Sequence, residues 1–217
     1  MSEYLIIRHA RSCYNIRQTK DLNSELTEFG KIQASGVGKF LVKSKDFNFN
    51  NMMWGYHTSP FKRCLMTSQL INNELNRNIK FLVNENISEW LDLEDSSTRS
   101  VSIPSKKPEF IKDFVWSGYN EKEFKSESNA DFLKRIYKFL ELTELYPRNL
   151  IVTHGLPALT LIKAITENIN YVPVWDFSID NASITWIKDK RIIWHGRNLH
   201  HEEEAENQRQ LGQNIIP

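Results

Sequence analysis

The stretch Leu5-Ile6-Ile7-Arg8-His9-Ala10-Arg11-Ser12-Cys13-Tyr14-Asn15 lies near the start of a 217-residue chain. Its apolar run is continuous rather than alternating, the pattern of a short strand covered on both faces, and it breaks off into an Arg-His pair. A second run, Leu150-Ile151-Val152-Thr153-His154-Gly155, breaks off in the same way. Strands covered on both faces belong to parallel sheets flanked by helices, whose ligands sit beyond the C-terminal strand ends. Two strands that each deliver an imidazole to that end predict one site assembled from distant segments.

Outward from these runs, strands and helices alternate. Residues 4–8 read as the first strand. Thr27 is placed to cap a helix in which Phe29, Ile32, Val37, Phe40 and Leu41 recur at helical spacing, with Gly36 and Gly38 permitting close packing on a sheet. Residues 52–58 read as a second strand. Ser59 then caps a helix with Pro60 at its first position, where the missing N–H costs nothing, and Phe61, Leu65, Ile71 and Leu75 form the inward face. A third strand is expected at 79–83, ahead of the acidic segment Glu85 to Glu94. Residues 95–128 are irregular, a length of loop that is usually functional or partly helical. Ser128-Asn129-Ala130-Asp131 resembles a capping box opening a helix with Phe132, Ile136, Phe139 and Leu140 inward, to about residue 145. The strand 149–153, a helix from Pro157 to Ile165 and two strand-like runs at 182–188 and 191–195 complete the pattern.

This alternation predicts an α/β fold of three α/β/α layers with a mostly parallel central sheet. Residues 1–199 form one domain, with 95–128 as a cap or insert over the site and 200–217 as a polar tail. The net charge of +1, from 28 basic and 27 acidic residues, gives no bulk case for binding nucleic acid or a membrane surface. A hydrophobic content of 40% argues against global disorder. No apolar stretch spans a bilayer, the N-terminus lacks the features of a secretory signal, and two cysteines are too few for a disulfide framework, so a cytoplasmic location is expected.

All three strand-to-helix junctions carry cationic or reactive side chains: Arg8 and His9, Arg63, and His154. Helix N-termini with unsatisfied N–H groups suit a phosphate, and guanidinium groups match its oxygens bidentately. An imidazole in such a pocket can attack phosphorus, and positioning with fixed charge can take the place of a metal ion. The leaving alkoxide still needs a proton, for which a carboxylic acid is the usual donor.

On these residues the chain resembles the histidine phosphatase superfamily, the phosphoglycerate-mutase-like phosphohydrolases. The markers are Leu5-Ile6-Ile7-Arg8-His9-Ala10-Arg11-Ser12, Leu26-Thr27-Glu28-Phe29-Gly30-Lys31-Ile32-Gln33-Ala34, Ser59-Pro60-Phe61-Lys62-Arg63-Cys64-Leu65-Met66-Thr67, Glu127-Ser128 with Arg135 beyond, and Val152-Thr153-His154-Gly155. They stand in the family's order and reach to about residue 190. The resemblance implies a phosphoglycerate-mutase-like fold and a metal-independent phosphatase without cofactor. In that reading His9 is the nucleophile that becomes phosphorylated. Arg8, Arg63 and His154 line the phosphate pocket, Asn15 contacts the phosphoryl group or substrate, and Glu89 is the proton donor. Arg11, where the family's usual motif has a different residue, adds charge for a second phosphate or an acidic substrate. The Gly-Trp-Asp segment expected of glycolytic mutases after Asn15 is replaced by Arg17-Gln18-Thr19-Lys20-Asp21, which favours a phosphatase. A phosphomutase and a non-catalytic phosphate-recognition module remain as alternatives.

Each assignment has a plainer competitor. A lone His at a strand end is usually a hydrogen-bonded structural residue. Glu85, Asp92 and Glu94 compete with Glu89 as donor. Arg99, Lys106 and Lys107 fit a cap over the pocket or a solvated loop, and the aromatics of 110–119 fit the core of a cap. Cys13 and Cys64 fit two buried thiols better than a redox pair. His195, His200 and His201 lack the spacing of a metal site and read as an exposed tail. The partner implied is a small phosphorylated molecule, and a homodimer is compatible with the sequence.

Overall fold

A computed structural model describes residues 2–47, 49, 53–76, 79–91, 100–103, 114–115, 122–167 and 179–198. The strands are β1 (Glu3–Arg8), β2 (Trp54–Thr58), β3 (Phe81–Val83), β4 (Ser100–Ile103), β5 (Phe114–Val115), β6 (Lys122–Lys125), β7 (Arg148–Thr153), β8 (Ile184–Lys188) and β9 (Arg191–Arg197). The helices are α1 (Glu28–Lys43), α2 (Lys62–Leu75), α3 (Asn129–Thr143) and α4 (Gly155–Thr166). Seven strands form one sheet in the order β5-β3-β2-β7-β1-β8-β9, while β4 and β6 pair separately. From β5 to β1 every pairing is parallel; β8 runs antiparallel to both β1 and β9.

Alternate residues of the central strands feed two separate cores, which is why their apolar runs are unbroken. Leu5, Ile7, Leu150 and Val152 pack with Ala34, Val37 and Leu41 of α1 and Leu65, Ile71 and Leu75 of α2. Tyr4, Ile6, Ile151 and Ile187 pack with Phe132, Ile136 and Phe139 of α3 and Leu161, Ile162 and Ile165 of α4. The expected three layers and mostly parallel sheet are therefore present. Truncating a fully buried residue such as Leu5 or Ile7 to Ala would cost roughly 2–5 kcal/mol.

Two helix starts match their sequence signals. Thr27 accepts from the Gly30 N–H at 2.9 Å, and Ser128 accepts from the Asp131 N–H at 3.1 Å. Several boundaries differ from expectation. The second helix begins at Lys62, not Pro60, and Phe61 is at its N-cap position without a side-chain cap. Ser59 Oγ accepts from His154 Nε2–H at 2.8 Å as well as from the Phe61 N–H at 3.4 Å, so its hydroxyl is shared between the helix start and the site. The last helix begins at Gly155 rather than Pro157, and its first turn accommodates the proline because N–H groups there have no intrahelical acceptor.

Helix α1 turns its small residues inward. Gly30, Ala34, Val37 and Gly38 are buried, whereas Ile32, expected inward, is 64% exposed. Gly38 meets α2 rather than the sheet: a Cβ there would lie 2.7 Å from the Cβ of Glu74. The irregular region 95–128 contributes β5 to the edge of the main sheet and β4 with β6 to a two-stranded sheet, neither expected from sequence. His195 belongs to β9 rather than to a tail. His200, His201, the tail 200–217, and Asp92, Glu94, Arg99, Lys106, Lys107, Phe110, Trp116 and Tyr119 lie outside the described residues. Among the described residues, no helix is long and apolar enough to cross a membrane.

Candidate active site

Strands β2, β7 and β1 are adjacent and parallel, so their C-terminal ends open on one side of the sheet. Residues 8–9, 59–63 and 153–155 follow those ends, which explains how segments up to about 150 positions apart meet. Backbone hydrogen bonds carry the register one step past the strands, with His9 N–H on Thr153 O at 2.8 Å and Ser59 N–H on Val152 O at 3.0 Å.

At the centre are two buried imidazoles. His9 and His154 are 1% and 0% exposed, and their ring centroids lie 5.2 Å apart at 67°. Arg63, 3% exposed, reaches both: its Nε–H donates to His9 Nε2 at 3.0 Å and its Nη2 to His154 Nδ1 at 3.0 Å. Because an arginine only donates, both of those ring nitrogens present lone pairs. His9 Nδ1 therefore carries the proton and gives it to Ala10 O at 2.8 Å, while His154 Nε2–H donates to Ser59 Oγ at 2.8 Å. Arg63 is held in turn by Leu22 O through Nη1 and by the Phe61 ring, 4.7 Å from its Cζ.

Burial pushes both histidines well below their ordinary value of 6.5, with Arg63 as the next cause in each case. They are neutral, and His9 keeps a lone pair on Nε2. Glu89 lies at the rim, with Oε2 3.6 Å from His154 Nδ1 and 3.9 Å from Arg63 Nη2. The flank of the Glu89 side chain keeps 27% of its surface open, but the carboxyl faces inward, and desolvation raises its pKa above 4.5 against the pull of Arg63 and Arg8. Arg8 is half-buried, donates through Nη1 to Ile179 O, and lies with its Cζ 3.7 Å from where a Cβ on Gly155 would be. Its Nε is buried without a partner. Two guanidinium groups against one carboxylate and two neutral rings make the cluster electropositive, at the N-terminus of α4.

The donor atoms of His9, Glu89 and His154 lie within 4.8 Å of one another, close enough to grip a metal ion. Arg63, however, occupies both ring lone pairs and holds a permanent positive charge between them. The cluster suits an anion better than a cation.

Of the sequence-predicted site residues, Arg8, His9, Arg63, His154 and Glu89 are brought together. Asn15 is exposed at the mouth, where its Oδ1 accepts from the Ser12 N–H at 3.0 Å and the Asn181 Nδ2 at 3.3 Å. The Arg11 side chain is exposed, and the hydrogen bonds that place this residue come from its backbone, to Gln33 and Thr27. Glu85 lies in the short turn Glu85–Ile87 that precedes Glu89. Cys13 and Cys64 are both free thiols; Cys64 is fully buried, and burial pushes it up to about 12.

Four contributors were not assigned from sequence. Ser59 holds His154, and Thr67 accepts from the Ala10 N–H at 3.0 Å while donating to Arg63 O at 2.6 Å. Asn181 donates to His9 O at 3.0 Å, and Arg135 braces the turn leading to Glu89. Ser59 and Thr67 fall inside a quoted motif, whereas Asn181 carries no local signal.

No curated protein matches the chain. Solved structures do. An ecdysone phosphate phosphatase from Bombix mori is similar at 14% identity and a TM-score of 0.64, covering 90% of this chain and 93% of its own. A phosphoserine phosphatase from Entamoeba histolytica is similar at 19% identity and a TM-score of 0.59, covering 92% and 99%. An alpha-ribazole phosphatase from Shigella flexneri is similar at 17% identity and a TM-score of 0.59, covering 91% and 96%. At these identities the likeness establishes the fold. A family model matches residues 4–199, and the chain belongs to the histidine phosphatase superfamily, branch 1.

Proposed function

We propose that the chain is a phosphatase that hydrolyses small phosphomonoesters through a phosphoryl group carried on His9. The observation that carries this reading is the Arg63 guanidinium hydrogen-bonded to both buried imidazoles at 3.0 Å, with a lone pair on His9 Nε2.

A phosphate oxygen entering the cluster competes for the N–H groups of Arg63, which frees His9 Nε2 to face phosphorus. Nε2 attacks, the bond from phosphorus to the ester oxygen breaks, and the departing oxygen takes the proton held by the Glu89 carboxyl. Arg8, Arg63 and His154 stabilise the three remaining oxygens. His154 does so after its ring adjusts so that a nitrogen-bound proton faces the anion. In the second half, Glu89 as carboxylate takes a proton from water, the water oxygen attacks phosphorus, and the P–N bond breaks to restore the imidazole and release phosphate. Neither half draws on a metal ion, because fixed guanidinium charge neutralises the transferring group.

The test is phosphate release from p-nitrophenyl phosphate in excess chelator, with the parent protein and His9→Ala. Turnover in the parent that survives the chelator and disappears in His9→Ala is the expected result. Activity retained by His9→Ala, or abolished in the parent by chelator, would overturn the reading.

A further inference from the structure

We propose that Arg135 is a positioning residue for Glu89, fixing the donor carboxyl through the backbone that carries it; this rests on the reading of Glu89 as the proton donor. Glu89 follows a single turn of 3-10 helix, Glu85–Ile87, a short element with little stability of its own. What holds that segment is a run of side-chain donors. The four consecutive carbonyl oxygens of residues 86 to 89 all accept from side chains: Asn86 O from Arg135 Nη1 at 2.7 Å, Ile87 O from Thr153 Oγ1 at 2.7 Å, Ser88 O from Arg135 Nη1 at 2.9 Å, and Glu89 O from Arg135 Nη2 at 3.2 Å.

The remaining donors of the same guanidinium go to Glu127. Nε bonds its Oε1 and Oε2 at 2.9 and 3.0 Å, and Nη2 bonds Oε1 at 2.5 Å. All five N–H groups of Arg135 therefore have defined acceptors, which fixes the plane of the fork. Both partners are mostly buried, at 16% and 21% side-chain exposure, so solvent competes weakly for the contact. Phe132 lies 4.8 Å beneath the guanidinium, and Trp90, the neighbour of Glu89, stacks on the same ring at 5.6 Å. Trp90 Nε1 and Leu91 O close the loop on the backbone of Glu127 at 3.3 and 2.9 Å.

Glu89 thus stands on a segment tied to α3 by one side chain, while its carboxyl faces His154 and Arg63. Arg135 donates to the Glu89 carbonyl and not to its carboxyl. Its effect on chemistry runs through position. A lysine keeps the charge but has no planar fork, so it cannot serve three carbonyls and a carboxylate at once.

The experiment measures kcat/KM, which reports phosphoenzyme formation, across substituted phenyl phosphates from p-nitrophenyl to p-methoxyphenyl. A well-placed acid makes the rate insensitive to the leaving group. The parent is expected to give a shallow dependence, and Glu89→Gln a steep one. Arg135→Lys and Arg135→Gln are expected to steepen it although Glu89 is intact, losing about tenfold or more on the p-methoxyphenyl ester and under about threefold on the p-nitrophenyl ester. Adding Arg135→Gln to Glu89→Gln should make the dependence no steeper. If Glu89→Gln leaves the series shallow, Glu89 is not the donor and both proposals fall together. A steep Glu89→Gln series with Arg135 variants that lose activity uniformly, or not at all, overturns the role of Arg135 alone. Failure of both Arg135 variants to fold assigns the residue to the fold and likewise overturns it.

Discussion

Arg63 Nε donates to His9 Nε2 at 3.0 Å, joining a permanent charge to a neutral ring nitrogen inside the protein. The pair fixes which nitrogen of His9 carries the proton and which carries the lone pair. Its geometry depends on a planar donor set, since Nη2 of the same group reaches His154. Arg63→Lys should therefore fail to replace it. The expected loss in kcat/KM on an aryl phosphate is about 10²–10³-fold, the scale seen when one preorganised oxyanion donor is removed. Steady-state kinetics on the folded variant measures it, and a loss under about fivefold would count against the arrangement.

The pH profile follows from two opposite shifts. As the proposed nucleophile His9 acts in its neutral form, and burial with Arg63 and Arg8 nearby lowers its pKa below 6.5. Activity is therefore retained as pH falls through 6.5 and is lost only on reaching the lowered value. As the proposed donor Glu89 acts in its protonated form, and desolvation raises its pKa above 4.5, so activity declines as pH rises through the raised value. The kcat/KM profile should be bell-shaped, and Glu89→Gln should remove the alkaline limb. An acid limb at or above 6.5, or an alkaline limb unchanged in Glu89→Gln, would be the contrary outcome.

His57 on β2 bears on stability rather than catalysis. It is 2% exposed, and its Nε2–H donates at 3.2 Å to Asn149 Oδ1, whose amide nitrogen is committed to Thr143 O and Tyr146 O. Its Nδ1 has no partner, and burial lowers its pKa from 6.5 to about 4. Between those values the unfolded chain binds a proton that the native state refuses, so stability is full above 6.5 and falls as pH drops toward 4. The loss attributable to His57 is roughly 3 kcal/mol across that window. Denaturant unfolding of the parent and His57→Gln at several pH values measures the difference. An equal pH dependence in both proteins would refute it.

Gly30 gives a packing test near the site. A Cβ there would lie 2.0 Å from Arg11 O, the carbonyl that accepts from the Thr27 N–H at 2.9 Å. The methyl group cannot be accommodated by a side-chain rotation, because its neighbour is backbone. Gly30→Ala should cost about 2–3 kcal/mol. In a chain of this size that lowers Tm by roughly 5–10 °C. Calorimetry showing an unchanged Tm would contradict the packing.

Much of this fold could be read from residues whose reasons are local. The unbroken apolar runs of β1 and β7 announce burial on two faces, and Thr27 and Ser128 announce helix starts through hydroxyls that accept from the third residue on. Ser59 misleads because its hydroxyl, read from sequence as a cap alone, is also used by a histidine 95 positions away. Ile32 misleads because the inner face of helix α1 runs through Gly30, Gln33, Ala34, Val37, Gly38 and Leu41, with Gly38 against α2, which leaves Ile32 on the outer face. The site shows the same division. Arg8, His9, Arg63 and His154 follow strand ends and could be grouped from sequence alone. Asn181 carries no motif signal, and although Arg135 stands in a family marker with Glu127, its clamp on residues 86–89 arises from tertiary contact that the marker's spacing does not announce.

The central claim is that His9 Nε2 carries the phosphoryl group. It is tested most directly by quenching parallel samples during turnover with alkali and with acid, followed by mass spectrometry of the peptide containing residues 8–17. Phosphohistidine on His9 survives base and is lost in acid, and the predicted result is that label in the base-quenched parent, absent in the acid-quenched sample and in His9→Ala. A base-quenched parent that turns over substrate with His9 unmodified and the label on another residue would contradict the account.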